Sequence, residues 1–142
     1  MSFKFLPDVA IADIAFEVNA PCLEDLFAEA GRALCEMQVD QKNVKPKVNK
    51  TIKLQNTSID KLFFDWLAEL IYMKDADNLI FSRFKINIKK SKESYALTAV
   101  AEGSKINYKT MKLRMDLKAV TYHMFEVKQD RKGWKARVVI DI

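Results

Sequence analysis

Residues 134–142 run Trp134-Lys135-Ala136-Arg137-Val138-Val139-Ile140-Asp141-Ile142, and their alternation sets the fold class. Trp134, Ala136, Val138, Ile140 and Ile142 fall on one side, with Lys135, Arg137, Val139 and Asp141 on the other. A period of two marks a strand with one face on a core. Moving outward to the other end of the chain, Val9 to Asn19 has the same period, with Ala12, Ile14, Phe16 and Val18 inward and Asp13, Glu17 and Asn19 on the wet face. The spacing then changes. Leu23, Leu26, Phe27, Ala30, Ala33, Leu34 and Met37 recur at intervals of three and four, which predicts a helix of about four turns. Glu24 and Asp25 suit the positive end of its dipole. A second stripe, Ile59, Leu62, Phe63, Trp66, Leu67, Leu70 and Met73, predicts another helix with Ser58 as its cap.

The remaining segments are strand-like. Val44, Pro46, Val48, Ile52 and Leu54 alternate among five lysines between residues 40 and 56, and Pro46 places the early part at a sheet edge or a strand entrance. After a polar break at Lys74 to Asn78 come Leu79 to Ile88 and Tyr95 to Ala101. Leu113 to Val127 carries apolar side chains on both parities, so it fits either a short helix leading into a strand or one continuous strand. Two helices and about six strands, in hairpin-like succession toward the end, describe an α+β fold. The expected architecture is a single domain over residues 1–142, with both amphipathic helices packed on one face of a mainly antiparallel sheet.

Composition agrees: 142 residues, 49% hydrophobic and 30% charged, with three Gly and three Pro, exclude a disordered chain or a disulfide scaffold. Cys22 and Cys35 are separated by about 19 Å if helical, beyond disulfide reach, and free thiols suit a reducing cytoplasm. Met1 to Phe16 lacks the basic and apolar regions of a signal peptide, and no run of eighteen apolar residues predicts a membrane span. The net charge of +5 is unevenly placed: residues 1–40 hold two basic and eight acidic residues, and residues 41–142 hold twenty-two and eleven. Such a division suits a partner surface of two signs or a solvated surface with no partner.

Most enzyme signatures are missing, including a Gly-rich phosphate loop, a Cys/His ligand cluster and a nucleophile elbow. His123, the one histidine, stands among Tyr122, Met124 and Phe125 and is expected to be a structurally satisfied side chain. The carboxylates that draw notice are Asp13 and Asp141, each on the outward side of a strand with a regular apolar face. If those two strands are neighbours, the like charges need a cation or a shared proton. Oxygen ligands favour a hard cation, and the backbone oxygens of Ile142, including a terminal carboxylate, would lie beside Asp141. The alternative is two exposed acids that never meet.

Five segments together resemble the archease family: Ala12-Asp13-Ile14, Leu23-Glu24-Asp25-Leu26-Phe27, Asp65-Trp66-Leu67-Ala68-Glu69-Leu70-Ile71-Tyr72, Lys118-Ala119-Val120-Thr121-Tyr122-His123, and the ending Val138-Val139-Ile140-Asp141-Ile142. They occur in the family's order and span almost the whole chain. The resemblance implies a small cytoplasmic protein cofactor, not itself a ligase, that promotes guanylylation and multiple turnover of an RtcB-type tRNA-splicing RNA ligase and reaches RNA indirectly through that partner. It implies a metal site at Asp13, Asp141 and Ile142, holding calcium or another divalent ion such as magnesium or manganese, with Lys118 and His123 structural or partner-facing. The chain departs from the family pattern at Ala10-Ile11, where a His-Thr is frequent, and at Gly103-Ser104, where a Gly-Glu is frequent. An Arg-His pair upstream of Lys118 has no clear counterpart. Two rival readings are an RNA-binding module using the basic region after residue 40, with Tyr95, Tyr108, Tyr122 and Trp134 for stacking, and a metal-dependent hydrolase using the acidic pair.

Overall fold

The computed structural model describes residues 1–6 and 13–142. In chain order the elements are β1 (Ser2–Leu6), β2 (Asp13–Ala20), α1 (Leu23–Gln38), a short 3-10 turn (Gln41–Asn43), β3 (Val48–Asn56), α2 (Ile59–Asp77), β4 (Leu79–Lys90), β5 (Tyr95–Lys105), β6 (Ala119–Asp130) and β7 (Gly133–Asp141). The expected α+β class is observed. The antiparallel strands divide into two sheets, one of order β1-β2-β7-β6 and one of order β3-β5-β4. Residues 9–12 of the first expected strand, with Ala10, Ile11 and Ala12, lie outside the described residues.

The two helices occupy the space between the sheets. The α1 stripe buries Leu26, Phe27, Ala30, Ala33, Leu34 and Met37, packing on β2 and β4, while α2 packs on β6, β3 and β4. Trp66 is fully buried where the helices meet, and its indole N–H donates to the Phe27 carbonyl at 2.9 Å. A buried indole nitrogen without such a partner would be costly, so this bond fixes the depth of Trp66. One continuous apolar cluster includes Phe16, Val138 and Ile140 of one sheet and Leu97, Ala99 and Ala101 of the other.

Three local features differ from the sequence reading. A strand, β1, precedes Asp13 and pairs with β2 from Ser2↔Asn19 to Leu6↔Ala15. The expected polar break at Lys74 is helical instead: α2 runs to Asp77 and ends on Asn78, whose φ of 57° is left-handed. Lys74 continues the buried stripe four residues after Leu70, and acidic neighbours make its burial tolerable. Val139, expected outward, is fully buried, as is its cross-strand partner Ala15. Both stand on the inner strands of their sheet, with Thr121 beside Val139.

The ambiguous segment resolves into an irregular strap followed by a bulged strand. Residues 107–118 cross the C-terminal ends of both helices. The Arg114 backbone N–H donates to the Gln38 carbonyl at 2.7 Å, and its guanidinium reaches Glu36 at 2.9 Å and Asp40 at 3.3 Å. Within β6, Thr121 opposes Val139 and Glu126 opposes Arg137, so four residues, 122–125, face Val138 alone. Met124 has a φ of 53°, a left-handed conformation that costs a non-glycine residue on the order of 1–2 kcal/mol. The bulge turns Tyr122, His123 and Met124 outward and leaves Phe125 against Phe63 and Phe64. Tyr122 stacks on Phe64 with ring centroids 4.1 Å apart.

Candidate functional site at the ends of β2 and β7

The strands that carry the two acids are adjacent. β2 and β7 pair antiparallel from Asp13↔Asp141 to Ala20↔Trp134, so the regular period of each strand brings the carboxylates directly opposite one another. Cβ atoms at such positions are about 4.5–5.5 Å apart. Glu17, Lys135 and Arg137 share their parity and lie on the sheet face away from the helices, so Asp13 and Asp141 do as well. Asp13 and Asp141 are both half-buried.

Charge compensation differs sharply along this face. Glu17, four residues from Asp13, has Lys4 at 3.5 Å and both Lys135 and Arg137 at 3.8 Å. Among the described residues, neither Asp13 nor Asp141 has an ion pair. Two unit negative charges about 5 Å apart repel by about 1 kcal/mol in bulk water and about 3 kcal/mol at an effective dielectric near 20. A cation between them reverses the sign, and an all-oxygen donor set suits a hard divalent ion. Among the described residues no three or more His, Cys, Asp or Glu side chains form a metal-sized group. The Asp141 carbonyl is occupied, accepting the Lys118 N–H at 2.8 Å. The main-chain oxygen of Ile142, an exposed residue, stands next in sequence.

A line of polar contacts secures this end of the sheet to the core. Lys74 near the end of α2 is buried, and its ammonium donates to the Leu117 carbonyl at 3.1 Å and to Asp116 Oδ1 at 2.6 Å, with Asp75 at 2.9 Å. The next residue, Lys118, supplies the N–H held by Asp141. Burial alone would lower the Lys74 pKa, but the hydrogen bonds and charges of Asp116 and Asp75 outweigh it and raise the group above its ordinary value. The same hydrogen bond and positive charge hold the Asp116 carboxyl below the ordinary carboxylate range. Sequence reading missed both residues, although the three- and four-residue spacing to Leu70 and Ile71 marks position 74 as inward-facing.

Lys118 and His123 are both exposed. The reading of His123 as a satisfied side chain in an apolar neighbourhood is corrected, because the bulge projects it into solvent while its neighbour Phe125 takes the inward position. The bulge begins three residues after Ala119, the other cross-strand partner of Asp141, about 10 Å along the strand. The exposed group Tyr122, His123 and Met124 thus lies on the same strand that flanks the acidic pair.

The chain matches the Archease protein family across residues 3–142. It is 34% identical over 132 residues to the protein archease of Methanosarcina barkeri, covering 92% of this chain and 90% of that one. It is 32% identical over 131 residues to the protein archease of Methanopyrus kandleri, covering 92% and 94%. The solution structure of Methanobacterium thermoautotrophicum protein 1598 superposes with a TM-score of 0.84 at 30% identity, covering 99% of this chain and 98% of that one. The crystal structure of an archease from Thermotoga maritima, described as a possible chaperone, shares the fold with a TM-score of 0.63 at 22% identity and 96% coverage of both chains.

Proposed function

The chain belongs to the archease family, and on that premise we propose that it is a cytoplasmic protein cofactor of an RtcB-type tRNA-splicing RNA ligase, promoting the ligase's guanylylation and multiple turnover. The observation that carries the reading is the Asp13↔Asp141 register, which concentrates two uncompensated carboxylates at one end of a rigid sheet. Asp13, Asp141 and the Ile142 main-chain oxygen would hold a divalent ion there, with calcium first and magnesium or manganese as alternatives. A divalent ion held by Asp13 and Asp141 would supply a Lewis-acid position able to accept an oxygen of a phosphate or carboxylate of the partner.

The protein's own groups have three tasks in this reading. Asp13 and Asp141 present the acidic edge to the metal-rich nucleotide pocket of the ligase, where preorganised charge assists placement of the guanylate and its metal. The Lys74, Leu117 and Lys118 contacts keep Asp141 in register with the core, so that the edge is not reorganised on docking. Lys118 and the exposed His123 on its bulge face the partner beside the acidic pair. RNA is reached through the ligase, which performs the chemistry. No helix among the described residues is long and apolar enough to cross a membrane.

The test is multiple-turnover ligation with the ligase limiting. Asp13→Ala and Asp141→Ala, each checked for an unchanged circular dichroism spectrum, are expected to lower the stimulated rate at least about tenfold while leaving single-turnover ligation by preguanylylated ligase intact. Undiminished stimulation by both variants would refute the proposal.

A further inference from the structure

Away from the acidic edge, the structure has a lysine-lined cleft. It has a volume of about 980 Å³ and lies between residues 42–48, the end of β5 and the first part of the strap. Among the described residues Lys42, Lys45, Lys47, Lys105 and Lys109 line it, and no Asp or Glu does. Elsewhere Lys74, Lys128 and Lys135 are paired with carboxylates, but among the described residues none of these five lysines is. Five like charges around one concavity give it a positive potential that attracts an anion.

The walls are built rather than loose. The Lys47 backbone N–H donates to the Gly103 carbonyl at 2.8 Å, fastening the approach to β3 onto β5. On the opposite wall Asn107 Oδ1 accepts the Lys109 N–H at 3.0 Å, and the Asn107 carbonyl accepts the Met111 N–H at 2.7 Å. Tyr108 adds a different chemistry. Its hydroxyl donates to Asn78 Oδ1 at 2.9 Å, and the side chain remains 63% exposed beside the lysines.

A dispersed set of ammonium groups and a fixed aromatic ring match a polymer that alternates phosphates with flat bases. The cleft is at the upper end of the roughly 300–1,000 Å³ common for ligand pockets, more room than one phosphate needs. Its concavity and its tyrosine fit a nucleic-acid strand better than a flat lipid headgroup layer. We propose that this cleft binds single-stranded RNA directly, with the five lysines on successive phosphates and Tyr108 stacking on a base. The ligase-cofactor reading assigns no such contact and has RNA held by the partner.

The experiment uses the full chain without ligase, so its outcome is independent of the acidic-edge assay. A fluorescein-labelled twelve-nucleotide oligouridylate is titrated by anisotropy between 50 and 200 mM salt. Wild type is expected to bind with a slope of log K against log salt of about −2 to −3.5, corresponding to about three to five phosphates. Lys45→Glu with Lys105→Glu should weaken binding at least about tenfold and flatten the slope by about 1.4. Tyr108→Leu should weaken it at every salt concentration with little change in slope. Lys89→Glu with Lys92→Glu, an equal change of net charge at the β4–β5 turn, should stay within about twofold of wild type. Absence of binding at 50 mM salt would overturn the proposal. So would an equal loss in the turn variant, since the attraction would then be diffuse. Preferential binding to anionic vesicles over the oligonucleotide would also overturn it.

Discussion

Replacing Lys74 with methionine tests whether the strap, and through it the Asp141 end of β7, is held by a single buried ammonium. Methionine nearly preserves the volume and removes three interactions: the bond to the Leu117 carbonyl at 3.1 Å and the pairs with Asp116 at 2.6 Å and Asp75 at 2.9 Å. The three are not equal. The Asp116 and Asp75 side chains are 68% and 57% exposed, so water recovers most of their energy and each loss is under about 1 kcal/mol. Leu117 is fully buried, and its carbonyl would lose a charged donor at a cost of about 1–3 kcal/mol. Relief of ammonium desolvation offsets part of this, leaving a net loss of about 2 kcal/mol. For a chain of this length that corresponds to a fall in melting temperature of about 6–8 °C. The Lys118 amide should also exchange with deuterium faster than amides in the middle of β7.

The pH dependence has a definite sign. Lys74 is raised above its ordinary 10.5, so its contribution is fully present below that value and lost as pH rises through the folded-state pKa. Asp116 is held below its ordinary 3.8, so its contribution is present above that value and lost as pH falls through the folded-state pKa. The stability gap between wild type and Lys74→Met should therefore be flat between about pH 5 and 9 and narrow outside that window. A melting-temperature change under about 2 °C, or a gap that widens in acid, would refute the reasoning.

Two further outcomes follow from packing and burial. A Cβ on Gly103 would stand 2.0 Å from the Ile80 carbonyl oxygen and 2.6 Å from the Phe81 Cα, so Gly103→Ala must separate β4 from β5 at their bulge; a loss of at least about 3 kcal/mol is expected in urea unfolding, and a loss below about 1 kcal/mol would contradict it. Burial pushes the Cys35 thiol up to about 12, whereas Cys22 is exposed, so Ellman's reagent at pH 8 should titrate one thiol per native chain and two in denaturant; two fast thiols in the native protein would contradict the buried position.

What the sequence disclosed depended on periodicity. The strands bearing Asp13 and Asp141 keep a period of two apart from Ala15 and Val139, so their outward acids could be named before any pairing was known. Both helical stripes stood out for the same reason, at their own spacing. Legibility failed where charge or irregularity masked the period. Lys74 has the polarity of a helix end, yet continues the stripe because Asp75 and Asp116 neutralise it. Residues 113–127 showed apolar side chains on both parities because a strap meets a strand whose four-residue bulge resets the alternation. His123 looked internal by the company it keeps in sequence, and only the bulge shows it facing solvent. The lysine cleft could not be read from the chain, since its walls are about sixty residues apart and are joined by pairing between β3 and β5. β1 was overlooked although Phe3 and Phe5 alternate with Lys4.

The acidic pair is tested most directly by calorimetric titration of calcium into wild type, Asp13→Asn and Asp141→Asn, with melting temperatures measured with and without the ion. One calcium per wild-type chain is expected, with binding lost in either variant. Without calcium the variants should equal or exceed wild type in stability, since each removes about 1 kcal/mol of repulsion, and with calcium the order should reverse. Equal calcium affinity in all three proteins, or a wild type that binds neither calcium, magnesium nor manganese, would contradict a metal-holding edge formed by these two strands.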